Sequence, residues 1–201
     1  MSKLTVDLFA EDRAHEEFVR ALIHRILADE DQPAELRVRS ARGGHGRALA
    51  MLALYQRTLT TLRAQMPDLL VVCIDANCDR FAEARKAIRS AIFESFRTSA
   101  VIACPDPHIE RWFMADPESF ARVLGAPPGD TTRKCQRDRY KQMLAEAVRQ
   151  GGHAPTLGGI EFAQELAAEM DFYRAGKRMR SFKAFLEDFR NAVRVRARAG
   201  A

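Results

Sequence analysis

VVCIDANCD, Val71 to Asp79, is the stretch on which the fold turns. The apolar run Leu69–Ile74 has no polar face, which is how a central strand of a parallel sheet reads when both its sides are covered. It then stops against Asp75, Asn77 and Asp79, three oxygen-bearing side chains at alternate positions. Ligands of parallel α/β sheets bind outside the carboxyl ends of the strands. The stretch therefore predicts a buried strand whose end faces a site.

Upstream, Lys3 to Ala10 alternates Leu4, Val6 and Leu8 and reads as a first strand, and Phe18, Leu22 and Ile26 recur at helical spacing within Ala14–Ala28. ELRVRSA, Glu35–Ala41, is a short second strand, broken by GGHG at Gly43–Gly46 and followed by a helix over Arg47–Gln65. After the Leu69–Ile74 strand come an amphipathic helix over Asp79–Phe96 and a fourth strand, Ser99–Ala103. Strands alternating with helices imply an α/β fold with a mainly parallel four-stranded sheet flanked by helices. Beyond Cys104 the pattern turns helical. Asp116-Pro117 reads as an N-cap and first helical position with Gly125 closing that helix, and Cys135–Gln150, Gly159–Met170 and Ser181–Arg198 read as further helices. The expectation is one domain over 1–201, an α/β core over 1–104 and a helical extension over 105–201.

Two acidic clusters fall at strand ends: Glu11-Asp12 after the first strand, and Asp75, Asn77 and Asp79 after the third. If those strands are neighbours, Glu11 and Asp75 meet. Carboxylates held together repel unless a cation lies among them, and magnesium accepts one or two carboxylates beside water and phosphate. Other readings stand beside this one. Asn77 or Asp79 also suits a helix cap, and Glu16 and Glu17 suit the first turn of a helix. DANCDR resembles the opening of a calcium hand, but Arg80 replaces the turn glycine and Lys86 stands at the bidentate Glu position, which excludes it. His15 and His108 are acid/base candidates, though a lone histidine is more often structural.

The 201 residues are 47% hydrophobic and 29% charged with net charge +5, the composition of an ordinary globular protein. No apolar run approaches the roughly 20 residues a bilayer requires. MSKLTVDLFAED meets acidic residues at once, so the expected location is the cytoplasm. Cys73, Cys78, Cys104 and Cys135 form no CxxC pair, so neither zinc nor a disulfide is expected. Lys134, Arg137, Arg139 and Lys141, and separately Arg190, Arg194, Arg196 and Arg198, form basic clusters suited either to a nucleic-acid backbone or simply to a solvated helix face. No G-x-x-x-x-G-K-[ST] loop is present.

An apolar strand ending in Glu, followed by one ending in D-x-N, resembles the Toprim fold. AEDRAHEEFVRALIHRIL, PDPHIERWFMADPESFARVLG and GGIEFAQELAAEMDF…RSFKAF resemble, in that order, the signatures of the small bacterial Toprim-like proteins grouped with RloB. The resemblance spans nearly the whole chain and implies phosphodiester chemistry dependent on Mg2+ (or Mn2+). Glu11 would be metal ligand or acid/base group, Asp75, Asn77 and Asp79 metal ligands, and Glu110 a second catalytic residue, with Asp79 or Glu110 supplying the charge that Asn77 lacks. Asn77 stands where many Toprim proteins carry a second Asp, and Asp12 where they carry Gly. The resemblance also implies nucleic acid as partner, an AAA or ABC-type ATPase beside it, and a role in defence against phage. Three functions are thus expected in competition: a nuclease, a Toprim-fold module that binds nucleic acid or an ATPase without cutting, and a nucleotide-binding phosphotransfer enzyme.

Overall fold

The computed structural model describes residues 3–41, 43–62, 65–136 and 138–199. Four strands, β1 (Leu4–Ala10), β2 (Ala34–Ser40), β3 (Leu69–Cys73) and β4 (Ala100–Ala103), form an all-parallel sheet in the order β2-β1-β3-β4. Every residue of β3 is buried, as its unbroken apolar sequence requires. Successive side chains point to opposite faces, so the sheet divides the core in two. Leu4, Val6, Leu8, Val71, Cys73 and Val101 face one apolar layer, and Phe9, Leu70, Val72, Ile74 and Ile102 the other. At about 25 cal/mol per Å² of apolar surface removed from water, each fully buried Val or Leu of the two layers contributes about 1.5–3 kcal/mol.

The second layer is covered by α2 (His45–Thr61) and α3 (Phe81–Ala91) through Ala48, Leu52, Ala84 and Ile88. The first is covered by α1 (Arg13–Asp29) and by the helical extension. That extension comprises α4 (Ile109–Phe113), α5 (Pro117–Leu124), α6 (Arg139–Gln150), α7 (Ala163–Glu169), α8 (Phe172–Arg178) and α9 (Arg180–Ala199). Trp112 of α4 is fully buried, stacked on Phe185 and edge-on to Phe182 of α9, and its indole N–H donates to Ser181 Oγ at 2.9 Å. The motif residues Trp112, Ser181 and Phe182 thus join the extension to the core, and core and extension share one continuous apolar cluster.

Three sequence expectations shift. The helix expected from Asp79 to Phe96 ends at Ala91, because the Gln56 side chain takes the Ala91 carbonyl at 3.0 Å and accepts the Phe93 N–H at 2.7 Å. The helix expected from Cys135 begins at Arg139, since Asp138 is left-handed (φ 58°) and the Lys134 N–H is held by the Tyr140 hydroxyl at 2.8 Å. Helix α8 was not expected; Asp171 caps it by accepting the Arg174 N–H, and Met179, extended, separates it from α9. Gly125 closes α5 in the left-handed conformation, as read from sequence. Gly151, after α6, is required for a different reason: a Cβ there would lie 1.6 Å from the Leu124 carbonyl oxygen.

Candidate metal centre

Strands β1 and β3 are adjacent, with Ala10 paired to Cys73, so the residues that follow them emerge side by side. The ladder continues past both strands. Glu11 N–H donates to Cys73 O at 3.0 Å, Ile74 N–H to Ala103 O at 3.1 Å, and Ala76 N–H to Pro105 O at 2.7 Å. Glu11 is thus tied directly to β3, and both neighbours of Asp75 are tied to β4 or the residues just beyond it. The Glu11 carboxylate also accepts the Asp75 N–H at 3.1 Å, and both side chains are buried.

A third group completes the cluster. His15, fully buried on the first turn of α1, places Nε2 2.8 Å from Asp75 Oδ1 and Nδ1 2.7 Å from Asp12 Oδ1. Asp12 is the N-cap of α1 and accepts the Ala14 and His15 N–H groups as well. His108 Nδ1 lies 3.2 Å from the other Asp75 oxygen, so the four groups form a chain Asp12–His15–Asp75–His108. One ligand atom each from Glu11, His15 and Asp75 lies within 4.8 Å of the others. That spacing lets the three donors converge on a single ion once they draw slightly together. A metal-bound histidine commonly donates its second nitrogen to a carboxylate, and Asp12 stands in that position. The donor set therefore fits a metal ion.

Glu11, Asp12, Asp75 and His108 open into a cavity of about 570 Å³ that Glu110, Lys141, Asn77, Tyr140 and Gly43-Gly44 also line, while His15 is buried and does not line it. Its electrostatics follow from burial and proximity. Burial opposes charge on His15, yet the carboxylates of Asp75 and Asp12 outweigh it and raise its pKa well above the ordinary value. Burial likewise opposes ionisation of Asp75, but His15 and His108 prevail and its pKa is lowered. At Glu110 burial and the Asp75 charge outweigh the attraction of His15 and Lys141, so its pKa is raised. Cys104 is pushed up to about 12 by burial and by Asp75.

The other expected site residues divide. Asn77 lines the cavity in a left-handed turn (φ 53°), a conformation Asn tolerates better than most side chains, and its amide N–H₂ leans on the Asp75 carbonyl at 3.4 Å. Asp79 is exposed; its carbonyl accepts from Arg133, and it is neither among the three clustered ligands nor a cap of α3. Lys141 is the basic residue brought to the cavity. Lys134 and Arg139 pair with Asp130, Arg190 with Asp29 and Glu30, and Arg194 grips Glu30 through two bonds of 2.7 Å. Arg137 lies outside the described residues.

His15, read from sequence only as a possible acid/base group, is the clustered donor that the spacing of the acids did not indicate. The available signal was Asp12 three residues before it, an acid positioned to cap the helix and to hold the ring. The cysteine expectation is overturned: Cys78 and Cys135 form a disulfide with Cα atoms 5.3 Å apart. No local spacing announces that pair, because 57 residues separate the two and only the meeting of two loops at the cavity rim joins them.

Comparison with protein-family models, with characterised proteins and with solved structures gives no match. Among the described residues, no helix is long and apolar enough to cross a membrane.

Proposed function

We propose that this protein is a metal-dependent phosphodiesterase acting on nucleic acid, built on a Toprim-like sheet. The observation that carries the reading is the meeting of Glu11, His15 and Asp75 at the ends of two adjacent parallel strands, beside a cavity that Glu11, Asp75 and a lysine line. An imidazole beside two carboxylates suits manganese or another first-row ion better than magnesium, which prefers oxygen alone. A bound ion of this kind polarises a phosphoryl oxygen and acidifies a water. Lys141 binds the phosphate charge, the Gly43-Gly44 backbone leaves room for a substrate to approach, and Glu110 is the cavity's proton carrier. Asp12 fixes the ring of His15. The three-ligand set supports one ion rather than two. A partner ATPase of AAA or ABC type and a role in phage defence rest on the motif resemblance.

The test is incubation of purified protein with manganese or magnesium on a panel of single- and double-stranded DNA and RNA. Wild type should cut at least one substrate in manganese, and Asp75→Asn should not. A second reading is favoured by one observation: His15, charged between Asp12 and Asp75, can neutralise the cluster with no metal. The fold would then serve as a binding module. Absence of manganese binding, with nucleic-acid binding retained, would select it.

A further inference from the structure

We infer that Cys78 and Cys135 form a thiol–disulfide latch on the rim of the candidate centre, opened by a low-molecular-weight thiol. Two loops meet at this bond. Cys78 belongs to the turn after β3, next to Asn77 of the cavity lining; Cys135 lies three residues before Asp138, which lines the same cavity with Tyr140 and Lys141. Both cysteines are exposed, whereas Cys73 and Cys104 are buried free thiols. Thiol exchange requires access, so the pair at the rim can react and the pair in the core cannot.

The two loops are unequally held. The turn after β3 is fixed by Ala76 N–H to Pro105 O at 2.7 Å and Asn77 N–H to Pro107 O at 2.9 Å. The facing segment has no buried residue from Pro127 to Gln136. Its ties are polar: Arg133 to Asp106 and to the Asp79 carbonyl, both exposed, and Arg111 to the Thr131 carbonyl and Tyr140 to the backbone at Thr132 and Lys134, both half-buried. Exposed ion pairs hold a chain weakly. The covalent bond is thus the firmest tie between this segment and the rim, and it closes a separation of 57 residues.

Reduction takes two equivalents of the small thiol. The Cys78–Cys135 bond breaks, each sulfur leaves with a proton as a thiol, and the two small thiols are joined as their disulfide. Oxidation by a small disulfide reverses every step. Reduction therefore releases residues 127–136 from the turn after β3, beside the cavity, while leaving the Glu11, His15 and Asp75 donors in place. This inference stands on the loop geometry and not on the chemistry proposed for the centre.

The experiment compares oxidised and dithiothreitol-reduced full-length protein by differential alkylation and by hydrogen exchange, both read by mass spectrometry. Oxidised protein should protect Cys78 and Cys135 together, and reduction should expose both while Cys73 and Cys104 stay unlabelled in the native state. Exchange across 127–136 should quicken at least tenfold on reduction, with β1 and β3 unchanged. The Cys78→Ser/Cys135→Ser variant should show the fast exchange under both conditions. Equal labelling of Cys78 before and after reduction, or a disulfide whose reduction leaves exchange across 127–136 unaltered, would overturn the inference.

Discussion

His15 Nε2 and Asp75 Oδ1 lie 2.8 Å apart, although 60 residues separate them in the chain. The contact exists because α1 leaves the end of β1 directly beside the end of β3, and because Asp12 caps that helix with the same oxygen that holds the His15 ring. Cap, ring and carboxylate are one unit, so substitutions within it separate folding from metal binding.

Asp12→Asn keeps a capping side chain but removes its charge. Helix stability should change by less than about 1 kcal/mol, whereas manganese affinity should fall about 10–100-fold, the usual effect of losing the group that orients a ligating histidine. Asp12→Ala should lose the same affinity and a further ~1 kcal/mol of stability. Denaturant titration and calorimetry on both variants check the split; equal affinity in Asp12→Asn and wild type would remove Asp12 from the centre.

Asp116 supplies a pH dependence remote from the centre. Its buried carboxylate accepts from Arg174 Nε at 3.0 Å and Nη2 at 2.9 Å, from the Ser119 hydroxyl, and from the Asp171 N–H at 2.9 Å. Burial alone would raise its pKa, but Arg174 and these donors hold it well below the ordinary 3.8. A depressed folded pKa contributes stability above the unfolded value and loses it as pH falls toward the folded one. Wild type should therefore weaken as pH drops below about 4, the unfolded value. Asp116→Asn should be about 3 kcal/mol less stable at pH 7 and should show a flatter decline in the acid range, measured by urea unfolding at each pH.

Gly151→Ala should destabilise the fold by about 3 kcal/mol, because the added carbon meets the Leu124 carbonyl rather than a flexible side chain. In a chain of this size that corresponds to a drop in Tm of roughly 6–12 °C, readable by calorimetry. The same substitution at Gly46, where a Cβ meets nothing within 4 Å, should be neutral or stabilising.

Nucleic-acid binding should depend on Lys141 and not on Arg194. Lys141 lines the cavity, while Arg194 is committed to Glu30 by two bonds of 2.7 Å. Lys141→Ala should weaken binding about 5–10-fold and reduce the salt slope by about one. Arg194→Ala should leave both unchanged. Fluorescence anisotropy over a salt series measures both quantities.

The sheet was legible because its signals are local and redundant: an apolar run for β3, alternation for β1, and turns between them. The Glu11–Asp75 pairing was legible for the same reason, since two neighbouring parallel strands must end side by side. The place of His15 in the cluster was not, because helix spacing alone does not say which turn faces a distant strand end. The partners of the basic residues were not legible. Charge on a helix reveals nothing of its partner, and Arg190 and Arg194 meet acids more than 150 residues away. Asn77 also reads differently in three dimensions, as a left-handed turn residue that reaches the cavity.

The central claim is that His15 binds a metal together with Glu11 and Asp75. Pulsed electron paramagnetic resonance on the manganese-loaded protein measures it most directly, because a coordinated imidazole nitrogen modulates the electron-spin echo. One nitrogen coupling should appear in wild type and vanish in His15→Gln, with manganese affinity reduced at least tenfold in that variant and in Asp75→Asn. Manganese bound with unchanged affinity in both variants, or bound in wild type with no nitrogen coupling, would contradict it.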